Sequence, residues 1–99
     1  AYGEQKLLGI ARLLATEADV LLLDEPTSGL DRGSLNEMVQ VIRGLVGQGK
    51  TICVIEHNLD VVRAVSDWVV FMDQGKALAS GAPEAVLADR SLAEIYFGV

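Results

Sequence analysis

Residues 20–31 read Val20-Leu21-Leu22-Leu23-Asp24-Glu25-Pro26-Thr27-Ser28-Gly29-Leu30-Asp31. Four consecutive apolar residues with no polar face suit a short strand buried on both sides of a parallel sheet. Asp24 and Glu25 end the run, and Pro26, which lacks an amide hydrogen, stops regular pairing. Carboxylates at the carboxyl end of a buried strand sit where open α/β sheets bind their ligands. Successive strand side chains point to opposite faces. A turn of the backbone at the strand's end lets both carboxylates address one site.

Working outward, Leu7, Leu8, Ile10, Ala11, Leu14 and Ala15 recur at helical spacing and predict a helix over residues 3–15. Downstream, Asp31 or Ser34 can cap a second helix whose buried face holds Leu35, Met38, Val39, Ile42, Leu45 and Val46, with Gly47-Gln48-Gly49 ending it. Thr51-Ile52-Cys53-Val54-Ile55-Glu56 is a second strand, with Cys53 as a small buried hydrophobe. A short helix follows His57-Asn58. Residues 68–72 and 76–80 form a hairpin turned by Asp73-Gln74-Gly75-Lys76, and Trp68 is expected in core or sheet-edge packing. Pro83 starts a small helix, and residues 91–97 a last one. Strands alternating with helices predict an α/β fold with a mostly parallel sheet, right-handed crossovers and a terminal hairpin.

The 99 residues allow one domain or part of one, and 51% apolar with 22% charged residues is a globular composition. A net charge of −6 with scattered Lys and Arg argues against a nucleic-acid surface. One cysteine excludes an intramolecular disulfide. No apolar stretch approaches the ~20 residues that span a bilayer, and no secretory signal is visible, so a cytoplasmic protein is expected. The chain opens directly into helical periodicity and reads as a carboxyl-terminal fragment, residues 1–99 forming a single partial domain.

The segment Asp24-Glu25 followed by Ser28-Gly29-Leu30-Asp31 resembles the Walker B motif and D-loop of ABC-type ATPases. Ala1-Tyr2-Gly3-Glu4-Gln5 resembles the ABC signature, with Ala1 in place of Ser and Tyr2 in place of the first Gly of Leu-Ser-Gly-Gly-Gln. This Ala-Tyr-Gly variant resembles branched-chain amino-acid importers. The tail from Gly81 to Leu87 and from Ile95 to Gly98 resembles them too, although a lipopolysaccharide-export ATPase ends similarly. His57, the one histidine, follows the second strand and resembles the family's switch histidine.

The resemblance implies an ATP-hydrolysing transporter subunit that uses ATP and Mg²⁺. Asp24 is the expected magnesium ligand, since Mg²⁺ favours one or two carboxylates with water and phosphate completing its shell. Glu25 is the expected catalytic base for the attacking water, and His57 the donor that senses the γ-phosphate. Ala1, Tyr2, Gly3 and Glu4 belong to the nucleotide-contacting signature. There Gly3 permits close approach, and the first helical turn favours an anion. Ser28, Gly29 and Asp31 occupy the D-loop, which in the family crosses a head-to-tail dimer interface. The implied partners are a second ATP-binding subunit and transmembrane permease subunits at the inner face of the membrane, without nucleic acid. A soluble ABC-type ATPase of DNA repair or translation is the alternative.

No G-x-x-x-x-G-K-[ST] segment occurs in the sequence. The Gln-loop and an adenine-stacking aromatic are missing too. The chain alone is therefore expected to be inactive. Its exposed apolar edge is expected to self-associate.

Overall fold

The computed structural model describes residues 2–88 of the 99. Ala1 and the helix expected over residues 91–97 lie outside the described residues. The chain divides into two compact units, one running to Val61 and the other beginning at Val62.

The first unit holds α1 (Tyr2–Leu14), β1 (Val20–Asp24), α2 (Arg32–Gly47) and β2 (Thr51–Ile55), and α3 (Leu59–Val65) begins in it. β1 and β2 pair in parallel, Val20 opposite Thr51 and Asp24 opposite Ile55. The register is fastened where the strands begin. The Thr51 amide donates to the Asp19 carbonyl (2.9 Å), and Lys50 Nζ donates to the Ala18 carbonyl (2.7 Å). Both strands therefore end at the same level, and that places residues 24–27 beside residues 55–57.

α2 starts where the sequence offers a cap. The Asp31 carboxylate accepts the Ser34 amide at 2.7 Å, satisfying one of the helix's orphan donors. Met38, Val39, Ile42 and Leu45 are its buried residues, one to a turn or nearly so. Val46, expected on that face, is 38% exposed. With Ile10 of α1, Leu21 and Leu23 of β1 and Val61 of α3, these are the unit's buried apolar side chains.

β1 differs from the expectation of burial on both sides. Leu21 and Leu23 are buried, but Val20 is 59% and Leu22 74% exposed. Cys53 is exposed as well, not buried as expected. The reason lies in the two-residue strand period. Cys53 pairs with Leu22 across the ladder, so it shares the open face with Val20, Leu22 and Ile55.

In the second unit, β3 (Val69–Asp73) and β4 (Lys76–Gly81) form an antiparallel pair, followed by α4 (Pro83–Leu87). Gln74 (φ 49°) and Gly75 (φ 78°) make the turn, both in the positive-φ region that two-residue hairpins of this hand require. A bulge between Phe71 and Met72 shifts the register, so that Phe71 faces Ala79 and Met72 faces Ala77. Phe71 and Val86 are buried together, with Val69 and Ala79 packed against them. Trp68 precedes the strand and is 65% exposed, against its expected place in the packing. The strand begins one residue later than the sequence pattern indicates, which leaves the indole outside the ladder.

Candidate functional site

The turn after β1 is gripped by three consecutive residues at the end of β2. The Ile55 carbonyl accepts the Glu25 amide at 2.8 Å. Glu56 Oε1 accepts both donors of Thr27, the hydroxyl at 2.7 Å and the amide at 3.1 Å. His57 Nε2 lies 3.0 Å from Glu25 Oε1. Parallel register is the cause: with Asp24 opposite Ile55, the residues that follow each strand meet in order.

Glu25 makes the turn in the left-handed region, at φ 48°. A non-glycine residue there carries a local backbone cost and persists when its surroundings over-determine it. Here they do so on every side. The amide is held by Ile55, the carboxylate meets His57, and the carbonyl accepts the Ser28 amide (3.2 Å) and Lys6 Nζ (2.9 Å). The change of backbone direction separates the paths of Asp24 and Glu25 at the end of the strand. Asp24 is exposed there, and Glu25 is part-buried.

Thr27 is 5% exposed and is the buried polar residue among the described ones. Its donors find a carboxylate, as buried polar groups require. Sequence reasoning missed this pair and Lys6. A signal was present in the spacing. Once Asp24 pairs with Ile55, two acidic residues, Glu25 and Glu56, follow at matching positions, and a nearby donor is needed to separate them.

The signature residues form a second group. Tyr2 opens α1, and its ring lies against Gly29. A Cβ on Gly29 would meet the ring at 3.0 Å, and Gly29 has φ +76°, so both space and backbone demand glycine. Lys6 Nζ sits 5.2 Å from the Tyr2 ring centroid, within cation–π range. Gly3 has a packing reason of its own: a Cβ there would meet Ser34 Oγ at 2.8 Å, so α1 and the start of α2 approach closely. Glu4 lies in the first turn of α1, where a carboxylate complements the helix dipole. Ser28 is exposed. Hydrogen bonds from the Ser34 amide and then its hydroxyl hold the Asp31 carboxyl below its ordinary value.

The structure thus brings Glu25 and His57 together, sets Tyr2 on Gly29, and joins the two groups through Lys6. Among the described residues no cluster of three or more His, Cys, Asp or Glu side chains forms a metal cage. The donor set at the end of β1, an exposed carboxylate beside a held one, fits a cation whose other ligands are water and phosphate.

The same arrangement of strand, acidic turn and following helix occurs in solved ATP-binding cassettes, whose fold this chain shares. A nucleotide-free ATP-binding cassette from an ABC transporter superposes with a TM-score of 0.89 at 31% identity, over 97% of this chain and 40% of that one. An ADP conformation of an ATP-binding cassette gives 0.88 at 32% identity, over 100% and 41%. The sequence profile of the ABC transporter family matches residues 1–28. The chain is 45% identical to the L-cystine import ATP-binding protein of Bacillus subtilis (strain 168), over 85% of this chain and 32% of the relative. It is 44% identical to the histidine/lysine/arginine/ornithine transport ATP-binding protein of Salmonella typhimurium, over 88% and 34%. A cobalt import ATP-binding protein of the same species is 40% identical over 89% and 32%. In sequence and in fold the chain therefore matches a stretch of ABC transporter ATP-binding subunits. It spans about a third of the length of these curated relatives.

Proposed function

We propose that this chain supplies the water-activating part of an ABC ATPase site, within a subunit that hydrolyses ATP to drive transport. The observation that carries the reading is the 3.0 Å approach of His57 Nε2 to Glu25 Oε1 at the shared ends of β1 and β2. Glu25 accepts the proton of the water that attacks the γ-phosphate. His57 holds that carboxylate through Nε2 and turns the same Nε2 donor to the transferring phosphoryl group when nucleotide is bound. Asp24 is the residue that would hold magnesium, through a bound water; the ion, when bound, would supply charge neutralisation along the phosphates. Phosphoryl transfer depends mostly on such positioning and electrostatics, which suits a site held by backbone and side-chain bonds from three elements.

Ala1, Tyr2, Gly3 and Glu4 contact nucleotide held by a second subunit, and Ser28, Gly29 and Asp31 line the crossing between the two. The partners are that second ATP-binding subunit in a head-to-tail dimer and the transmembrane permeases it drives. The subunit sits at the cytoplasmic face of the membrane through them. Among the described residues no helix is long and apolar enough to cross it. The transported solute is a branched-chain or other hydrophobic amino acid. This reading rests on the Ala1-Tyr2-Gly3 variant and the Gly81–Leu87 tail; the names of the relatives specify cystine, basic amino acids and cobalt, and support transport of a small solute only.

Two substitutions in the complete subunit test the roles. Glu25→Gln keeps ATP binding and lowers kcat by about 10²–10⁴-fold, the range of general-base assistance. Asp24→Asn weakens magnesium-dependent ATP binding as well. Equal effects of both on binding would overturn the division of labour.

A further inference from the structure

We propose that Lys6 is a positioning residue that holds the Glu25 turn against α1, with Tyr2 as its anchor; this rests on the reading of Glu25 as the catalytic base. Lys6 Nζ donates to the Glu25 carbonyl at 2.9 Å across nineteen positions of sequence. That carbonyl belongs to a residue at φ 48°, where an L side chain is disfavoured and outside contacts decide whether the conformation persists. The bonds to Glu25 from residues 55, 57 and 28 come from β2, the segment after it and the turn itself. Lys6 reaches it from α1.

The ammonium is itself placed. It lies 5.2 Å from the Tyr2 ring centroid, one helical turn back, where cation and ring face each other at i, i+4. The same ring closes on Gly29, with a hypothetical Gly29 Cβ only 3.0 Å from Tyr2 Cε2. The start of α1 therefore grips the acidic turn at two points four residues apart, the Glu25 carbonyl and Gly29. Any change in the position of α1 is transmitted to the backbone that aims the Glu25 carboxylate at His57. The sequence needs a cation with a long apolar stem at position 6 and an aromatic ring at position 2, and it has both.

The test compares Lys6→Met, which keeps length and loses the donor, with Lys6→Arg, which keeps charge and donors. Both are made in the complete subunit, and kcat, KM for ATP, melting temperature and crystal structure are measured. Lys6→Met is expected to lower kcat by about ten- to a hundredfold, the scale of a small misplacement of a catalytic group, with KM for ATP unchanged. In its structure Glu25 leaves the left-handed region and the His57–Glu25 contact opens. Lys6→Arg restores both. If Lys6→Met does not fold, Lys6→Leu, which also lacks a donor, replaces it, with the same expectation. A variant without the Lys6 donor that keeps Glu25 at positive φ, in contact with His57, overturns the proposal. A fall in melting temperature with kcat per folded molecule preserved overturns it equally. Glu25→Gln, run alongside, separates the two readings. If it leaves kcat unchanged, the base assignment fails, and the structures of the Lys6 variants still decide whether Lys6 sets the turn.

Discussion

Glu25, the proposed catalytic base, shows how little of a residue's placement comes from its own preferences. Its φ of 48° is unfavourable for a glutamate, and contacts from Ile55, His57, Ser28 and Lys6 hold it. The His57–Glu25 contact adds little stability. His57 is 82% and Glu25 44% exposed, and exposed pairs contribute about 0–1 kcal/mol. Its value to the protein is therefore geometric, and His57→Ala is expected to lower kcat while leaving KM and melting temperature nearly unchanged. Unchanged kcat with a lower melting temperature would make His57 a structural residue. Thr27 is the opposite case. Its hydroxyl is buried and bound to a carboxylate, so Thr27→Val should cost about 1–3 kcal/mol of stability in denaturant unfolding. A loss below a few tenths would mean that water replaces the hydroxyl.

At the scale of elements, the sequence pattern was legible wherever a local rule had no competitor. The α2 cap, its buried stripe, the hairpin turn and Pro83 at the start of α4 all follow from residue type and spacing. Asp31 gives a pH test of one such rule. Its carboxyl titrates lower in the folded state than its ordinary value because the Ser34 amide and hydroxyl bind the charged form. A depressed folded pKa means that the stabilisation is present above the unfolded value and disappears as pH falls through the folded one. Asp31→Ala should therefore lower the melting temperature at pH 7, and the gap to the unmutated chain should narrow as the pH drops below the carboxylate range. A gap that stays constant with pH would show that the charge contributes nothing to the cap. The pattern was less legible where long-range pairing decides. Leu22 and Cys53 look buried by composition, but the ladder sets both on the open face of the β1–β2 pair. Glu56 looks like an ordinary strand-end acid until register brings it to Thr27. Lys6 looks like a surface lysine until the turn it binds is folded. The charged residues proposed for the site stand in a local motif, whereas the Lys6 and Thr27 contacts that hold the turn depend on long-range pairing.

The molecule as a whole combines a well-held chemical edge with apolar surface that the described residues leave open. In the first unit that surface includes Val20, Leu22 and Ile55. In the second it includes Val70, Met72 and Leu78. The 99-residue chain is expected to self-associate in sedimentation experiments, and Leu22→Lys to weaken the association. Equal association with and without the lysine would place the contact elsewhere. The sequence contains no Walker A segment, so the chain by itself should show no micromolar ATP affinity by calorimetry. The proposed role of Glu25 is to activate water in a site shared with a second ATP-binding subunit. Its most direct test is the complete subunit carrying Glu25→Gln, incubated with ATP and magnesium and separated by size. The expected result is a dimer that retains unhydrolysed ATP, because binding and pairing persist while the proton acceptor is gone. Recovery of monomer with ADP formed at the unmutated rate would contradict it.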